Sequence, residues 1–246
     1  MGSLKFITPE WDAPEQVRAV TTTRSGGVSE GGYDSLNLGD RAGDNEEAVA
    51  ENRRRLRTAL QLPSEPAWLW QVHGDAVVNA ETATRTPKAD ASVTHSAGAV
   101  CVVLTADCLP VLFCDDAGSV VAAAHAGWRG LAAGILPATV AKMGVDLANI
   151  QAWLGPAIGP EVFEVGLEVR AEFVHKNRAH AAAFIPGEPQ KYLANIYQLA
   201  RRELADCGVT RVTGGDHCTV SEPEHFYSYR RDKTSGRMAS FIWLKN

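Results

Sequence analysis

The sequence has few features that would fix it to a membrane, an oxidising compartment or a polyanion. Its five cysteines, Cys101, Cys108, Cys114, Cys207 and Cys218, are odd in number, widely spaced and free of any CxxC pair, which argues against a disulfide scaffold. No apolar run approaches the roughly 18 residues needed to span a bilayer, and the N-terminus lacks the apolar stretch of a signal peptide, so a soluble cytoplasmic protein is expected. Positive charge is not in excess. Lys and Arg number 24 against 29 Asp and Glu, a net charge of -5 that disfavours a nucleic-acid or membrane surface. The only basic run, Arg53 to Arg55, falls on an expected helix and reads as a solvated face. Linkers, low-complexity tracts and fixed-period repeats are also missing, and 246 residues that are 45% hydrophobic suffice for one domain over 1-246.

What is present is a series of short apolar runs mixed with helical patterns. Strands are expected at 17-23, 68-72, 100-106, 109-114, 120-124, 152-154, 209-213 and 238-244. Helices are expected at about 45-61, opened by a capping box of Asp44 and Glu47, at 130-143 with Pro137 kinking or dividing it, at 166-176, and at 190-206 ending at Gly208. Hairpins mixed with helices point to an α+β protein rather than a regularly alternating parallel one.

The run at 120-124 ends in His125, and the run at 109-114 is preceded by Cys108. Between them lies the polar turn CDDAGS. If that turn is centred between Asp116 and Ala117, Cys114 opposes Ser119, Leu112 opposes Val121 and Cys108 opposes His125. Direct partners on one face have Cβ atoms roughly 4.5–5.5 Å apart, which suits a shared metal or a thiol-imidazole hydrogen bond. A slip of one residue would separate them, and Pro110 makes that end of the hairpin an edge, a bulge or an irregular stretch. His73, at the end of the run in WLWQVHGD, is an available third ligand; spacing alone leaves a packed histidine and an inert cysteine as an equal reading. His95, His175, His180, His217 and His225 show no paired spacing and read as surface or locally bonded residues.

The motifs TRSGGVS, SLNLGD, QVHGD, TADCLPVLF, HAGWRGL, LGPAIGP and FYSYRRDKTSGRMASFIWL, in this order, resemble the YfiH family of laccase-domain proteins from about Arg24 to Leu244. Members are described as purine nucleoside phosphorylases, polyphenol oxidases and peptidoglycan editing factors. The resemblance implies a four-layer α/β/β/α architecture with mixed, largely antiparallel sheets, and a zinc held by His73, Cys108 and His125. It further implies phosphorolysis of adenosine, inosine and methylthioadenosine, with inorganic phosphate as co-substrate, and deamination of adenosine.

A zinc with three protein ligands keeps a fourth position for water, whose pKa it lowers towards about 7. Deamination also needs a proton handler, for which Asp107 is the candidate, with a turn-capping or ligand-orienting role as the alternative. Phosphate binding needs cations, and Arg24, Arg129 and Arg230 qualify, with backbone N-H groups of the RSGG turn as possible additions. Asn37, Asn52 and Gln71 are weaker substrate-contact candidates, and Trp128 and Tyr229 could stack on a purine or pack the edge of a core. Two other chemistries compete. Cys108 as nucleophile with His125 as base would make a hydrolase, for instance on a peptidoglycan precursor amide. Copper-dependent phenol oxidation is disfavoured, because no HxH pair occurs among seven scattered histidines.

Overall fold

The computed structural model describes residues 2–83 and 86–245. One sheet consists of β1 (Phe6–Ile7), β2 (Val17–Thr22), β13 (Met238–Leu244) and β5 (Val100–Thr105), in that order and antiparallel throughout. A larger sheet runs β12 (Arg211–Gly214), β8 (Ile150–Leu154), β6 (Leu109–Asp115), β7 (Val121–Ala126), β4 (Ala91–Thr94) and β3 (Val77–Asn79); only its two outermost pairs are parallel. A small flap joins β10 (Phe184–Pro186), β11 (Lys191–Ala194) and β9 (Glu164–Gly166). The helices are α1 (Glu46–Leu60), α2 (Trp128–Ala133), α3 (Ile135–Met143), α4 (Leu167–Lys176), α5 (Ile196–Asp206) and α6 (Tyr229–Asp232).

Strand alternation sorts the side chains into layers. In β5, Val100 and Val102 pack with Leu56 of α1, while Cys101 and Val103 face the other way. In β6 and β7, Leu112, Cys114, Val121 and Ala123 meet Cys101, Val103 and Ile242 between the two sheets. Their neighbours Val111, Phe113, Ala122 and Ala124 pack against Leu136 and Val140 of α3 and Leu199 and Leu204 of α5. The order is therefore helix, sheet, sheet, helices, the α/β/β/α stack the motifs imply. Burial pushes the thiols of Cys101 and Cys114 up to about 12, so both behave as apolar filling between the sheets. Among the described residues no helix is long and apolar enough to cross a membrane.

Several expected elements differ in detail. The cap of α1 is Asn45, whose side chain accepts from Ala48 N at 3.0 Å; Asp44 instead accepts from Ser29 Oγ and Asn37 Nδ2. The expected helix at 130-143 is divided at Gly134, which takes φ 100°, whereas Pro137 sits in the first turn of α3, where its missing N-H costs nothing. The expected helix at 190-206 begins only at Ile196, behind the Asn195 cap, because residues 191-194 pair into the flap. The stretch 68-72 is not a strand: Trp70 makes a single bridge to Lys88, and the Gln71 amide replaces a ladder by bonding both backbone groups of Leu104 at 2.7 Å. Arg53 is no solvated face residue. It bonds the Leu38 carbonyl, lies 3.8 Å from the Trp68 ring centroid and pairs with Asp40.

The central hairpin is shifted by two residues from the expected register. Cys114 pairs with Val121, and Pro110, not Cys108, pairs with His125. The cause is a longer turn: the Asp115 carboxylate accepts from Ser119 N and Val120 N, and Gly118 adopts φ 60°. A shift of two preserves the face of every side chain. Cys108, just before the first paired residue Leu109, thus keeps the face of His125 without a ladder partner of its own.

Candidate metal centre

His125, near the end of β7 and buried at 3% exposure, lines a cleft together with Leu104 and Thr105 at the end of β5. Cys108 stands just before β6, after Asp107, which holds the left-handed φ of 81°. His73 arrives on the loop at 68-74, also left-handed at φ 62°. The potential ligand atoms of His73, Cys108 and His125 all lie within 4.8 Å of one another, an arrangement that could hold a metal ion. Cys108 Sγ is 3.8 Å from His73 Nε2, and the two imidazoles meet edge to face with centroids 4.8 Å apart. Donors of a tetrahedral zinc stand roughly 3.5 Å apart, so the set is near that spacing.

Asp90 completes the centre, and sequence spacing gave no sign of it. It directly precedes β4, one step beyond the last ladder pair of Ala91 with Ala124, which places it beside His125. Its carboxylate is fully buried and accepts from His125 Nδ1 at 2.8 Å, His73 N at 2.9 Å, Gly74 N at 2.8 Å and Val72 N at 3.1 Å. Burial opposes its charge, but the imidazole and the N-H donors outweigh burial and hold its pKa below the usual carboxylate range. With Nδ1 occupied, His125 offers Nε2 to the cluster. Burial likewise raises the Cys108 thiol, yet the charges and hydrogen bonds of His125 and His73 bring it down overall; burial lowers His125, but its contacts with Cys108 and Asp90 raise it overall. A sulfur that readily becomes thiolate and an imidazole aimed by a carboxylate fit a zinc-type donor set.

The cluster lies in a cleft of about 740 Å³ that is also lined by Gln71, Asp107, Trp128, Arg129, Tyr229, Arg230, Lys233 and Arg237. Five lining cations lie near aromatic rings: Arg41 on Trp70 at 4.5 Å, Arg129 on Trp128 at 4.6 Å, Arg230 near Phe163 at 5.7 Å, and Lys233 and Arg237 near Tyr229 at 5.8 and 6.0 Å. No carboxylate pairs with any of them among the described residues. Such a site favours an anion beside a planar group. Arg41, Trp70, Lys233 and Arg237 also line the cleft, and no local sequence pattern marks them as doing so.

Not every candidate is placed here. Arg24 lies outside the cleft, with its guanidinium bonded to the carbonyls of Asp34 and Pro223 and stacked 4.8 Å from the Tyr227 ring centroid. The N-H groups of Gly26 and Gly27 are taken by Ser35 Oγ. Asn37 and Asn52 are fully buried, and Gln71, although it lines the cleft, uses its amide on Leu104. Each is a brace for the loops, because unpaired buried backbone groups are costly. Asn52 alone accepts from Val28 N and donates to Ser29 Oγ, Ser35 O and Asn37 O. Asn52→Ala is therefore expected to lower unfolding free energy by about 3 kcal/mol, measured by urea denaturation, while substrate KM changes less than about two-fold. Both Asp107 oxygens are engaged, one by Thr219 Oγ1 and the other by Arg230 N, each at 2.6 Å. His180 is buried rather than superficial and bonds Phe173 O through Nδ1.

The fold and site define a class: a four-layer α/β/β/α protein with a His/Cys/His cluster, able to hold a metal, at the floor of a cationic, aromatic cleft. The chain belongs to the family described as multi-copper polyphenol oxidoreductase laccase, whose model matches residues 18–245. It is 58% identical to the purine nucleoside phosphorylase YfiH of Escherichia coli over 241 residues, 98% of this chain and 99% of that one. A purine nucleoside phosphorylase of Pseudomonas aeruginosa is 53% identical over 242 residues, with 98% and 99% covered. Among solved structures, a Neisseria meningitidis protein superposes with a TM-score of 0.96 at 52% identity, covering 98% of this chain and 99% of its own. YlmD from Geobacillus stearothermophilus gives 0.88 at 30%, covering 98% and 100%.

Proposed function

We propose that the protein is a zinc-dependent purine nucleoside enzyme. It cleaves adenosine, inosine and methylthioadenosine with inorganic phosphate to the free base and ribose 1-phosphate or methylthioribose 1-phosphate, and it deaminates adenosine to inosine. The observation that carries this reading is the His73, Cys108 and His125 cluster opening into a cleft of aromatics and unpaired cations. The relatives in E. coli and P. aeruginosa carry the name purine nucleoside phosphorylase, which supports a purine nucleoside substrate and phosphorolysis. A bound zinc would supply Lewis acidity and lower the pKa of a water.

In phosphorolysis a phosphate oxygen bonds to C1′ of the ribose as the C1′-N9 bond breaks, and the purine leaves with the electron pair and takes up a proton. Arg129, Lys233 and Arg41 have free donors for the phosphate, and Arg230 retains donors beyond its bond to Glu164 O. Trp128 and Tyr229 offer faces for the base. In deamination, water adds at C6 and ammonia departs. We assign Asp107 the positioning of Arg230, since its oxygens already accept two short hydrogen bonds. A single three-residue cluster among the described residues supports a mononuclear site over a multinuclear copper one.

One observation favours a second reading. Asp90, His125 and Cys108 form a carboxylate-imidazole-thiol series, the arrangement of a cysteine hydrolase, in which the thiolate would attack an amide carbonyl and His125 would protonate the departing amine. Metal analysis combined with adenosine turnover separates the two. The expected result is about one zinc per chain, ribose 1-phosphate formed only when phosphate is present, ammonia released in parallel, and both activities lost on chelation and restored by zinc. Full turnover by metal-free protein would remove the first reading. Arg129→Ala is expected to raise the KM for phosphate about ten-fold, the loss of one charge-assisted contact, with the KM for adenosine little changed in the same assay.

A further inference from the structure

We propose that Asp90 is a positioning residue that pre-forms the metal centre by tying two of its ligands to one buried carboxylate. The proposal rests on the metal-binding reading above, and it concerns a residue that touches neither metal nor substrate in that reading. Asp90 acts on each histidine by a different route. Through Oδ1 it accepts from His125 Nδ1, which fixes the ring so that Nε2 faces Cys108 and His73. Through both oxygens it gathers the consecutive backbone N-H groups of Val72, His73 and Gly74, and so holds the loop in the left-handed turn that carries the exposed His73 ring back over His125. A non-glycine residue with positive φ is strained and persists only where its surroundings determine it. The carboxylate supplies that determination for His73, whose own side chain is solvent-exposed.

Four donors converge on two oxygens, which makes the position intolerant of an amide. With the asparagine oxygen at the Oδ1 site, its NH2 faces the N-H groups of Val72 and Gly74. In the other orientation the NH2 faces His73 N and His125 Nδ1, and drives the imidazole to the tautomer that carries its proton on Nε2 and cannot ligate there. Either orientation disturbs at least one ligand.

The test uses the full chain and zinc alone as probe. Zinc affinity is measured by competition with a chromophoric chelator for the wild type, Asp90→Asn and Asp90→Glu, and the thermal midpoint of each metal-free protein is recorded. The expected result is a 10–100-fold weaker affinity in Asp90→Asn, the range for loss of an outer partner of a metal ligand, with Asp90→Glu recovering part of it. Wild-type affinity in a folded Asp90→Asn protein would overturn the proposal and leave the nucleoside reading intact. Failure of the wild type itself to bind zinc would instead overturn the metal reading, and Asp90's role with it. Should Asp90→Asn not fold, nitrogen-resolved NMR of the zinc-loaded wild type decides: a proton retained on His125 Nδ1 and coordination through Nε2 supports the assignment, and coordination through Nδ1 overturns it.

Discussion

Cys108→Ser is expected to leave the purified protein without bound zinc and to lower adenosine phosphorolysis by at least about 100-fold, while the thermal midpoint moves only a few degrees. Of the three cluster donors only Cys108 supplies a negative charge, and the pull of His125 and His73 on its thiol shows that the pocket favours the thiolate. A serine hydroxyl stays protonated at neutral pH and makes a poor ligand. Removing even an outer partner of a metal ligand costs 10–100-fold, so losing the anionic ligand itself should cost more. The fold has little stake in this sulfur, because Cys108 is half-buried beside the cleft and precedes β6 instead of filling the space between the sheets. Metal content and steady-state turnover, measured on the same preparation, check the result. A serine variant that keeps its zinc yet loses turnover would mean the sulfur attacks substrate, and the hydrolase reading would replace the phosphorylase one.

Gly127→Ala should do comparable harm by adding a single methyl group. A Cβ at this position would lie 2.9 Å from Cys108 Sγ and 3.0 Å from His73 Cδ2, closer than side chains tolerate. Its backbone angles, φ -60° and ψ 156°, suit alanine, so conformational strain is not the cause and the whole effect comes from the ligands being pushed apart. A displacement of about 1 Å in a reacting constellation can cost 100-fold. Turnover is therefore expected to fall about 100-fold and zinc affinity at least ten-fold, with a largely unchanged circular dichroism spectrum. Normal metal affinity in a folded Gly127→Ala protein would show that Cys108 and His73 do not ligate from the positions seen here.

The layers of the fold were legible wherever apolar alternation is strong. Residues 238-244 read as a strand and form β13 over the same residues, because alternate side chains are claimed by two different buried layers. The stretch at 68-72 has a similar apolar look but runs beside the edge strand β5 without forming a ladder, and a side-chain amide, Gln71 on Leu104, takes the place of one. Turn composition located the central hairpin but could not set its length, since that depended on the Asp115 carboxylate capping Ser119 and Val120. The Cys108–His125 proximity is kept because the register shift is even. Arg24, Asn37 and Asn52 sit near functional motifs in sequence but far from them in role: their polar groups were already spoken for by backbone carbonyls and amides of adjoining loops.

By itself, the sequence determined the alternation that makes two sheets with helices outside them, the thiol and imidazole at the ends of neighbouring strands, and the motifs that imply His73 as their companion. These follow from local patterns and from a hairpin that joins residues close in the chain. Only the tertiary structure decided that Asp90 stands beside His125, that Trp70, Lys233 and Arg237 join the cleft, and that Gly127 leaves the ligands room. Those contacts are made by segments brought together by β4 pairing with β7 and β13 pairing with β5, across separations that no local pattern records.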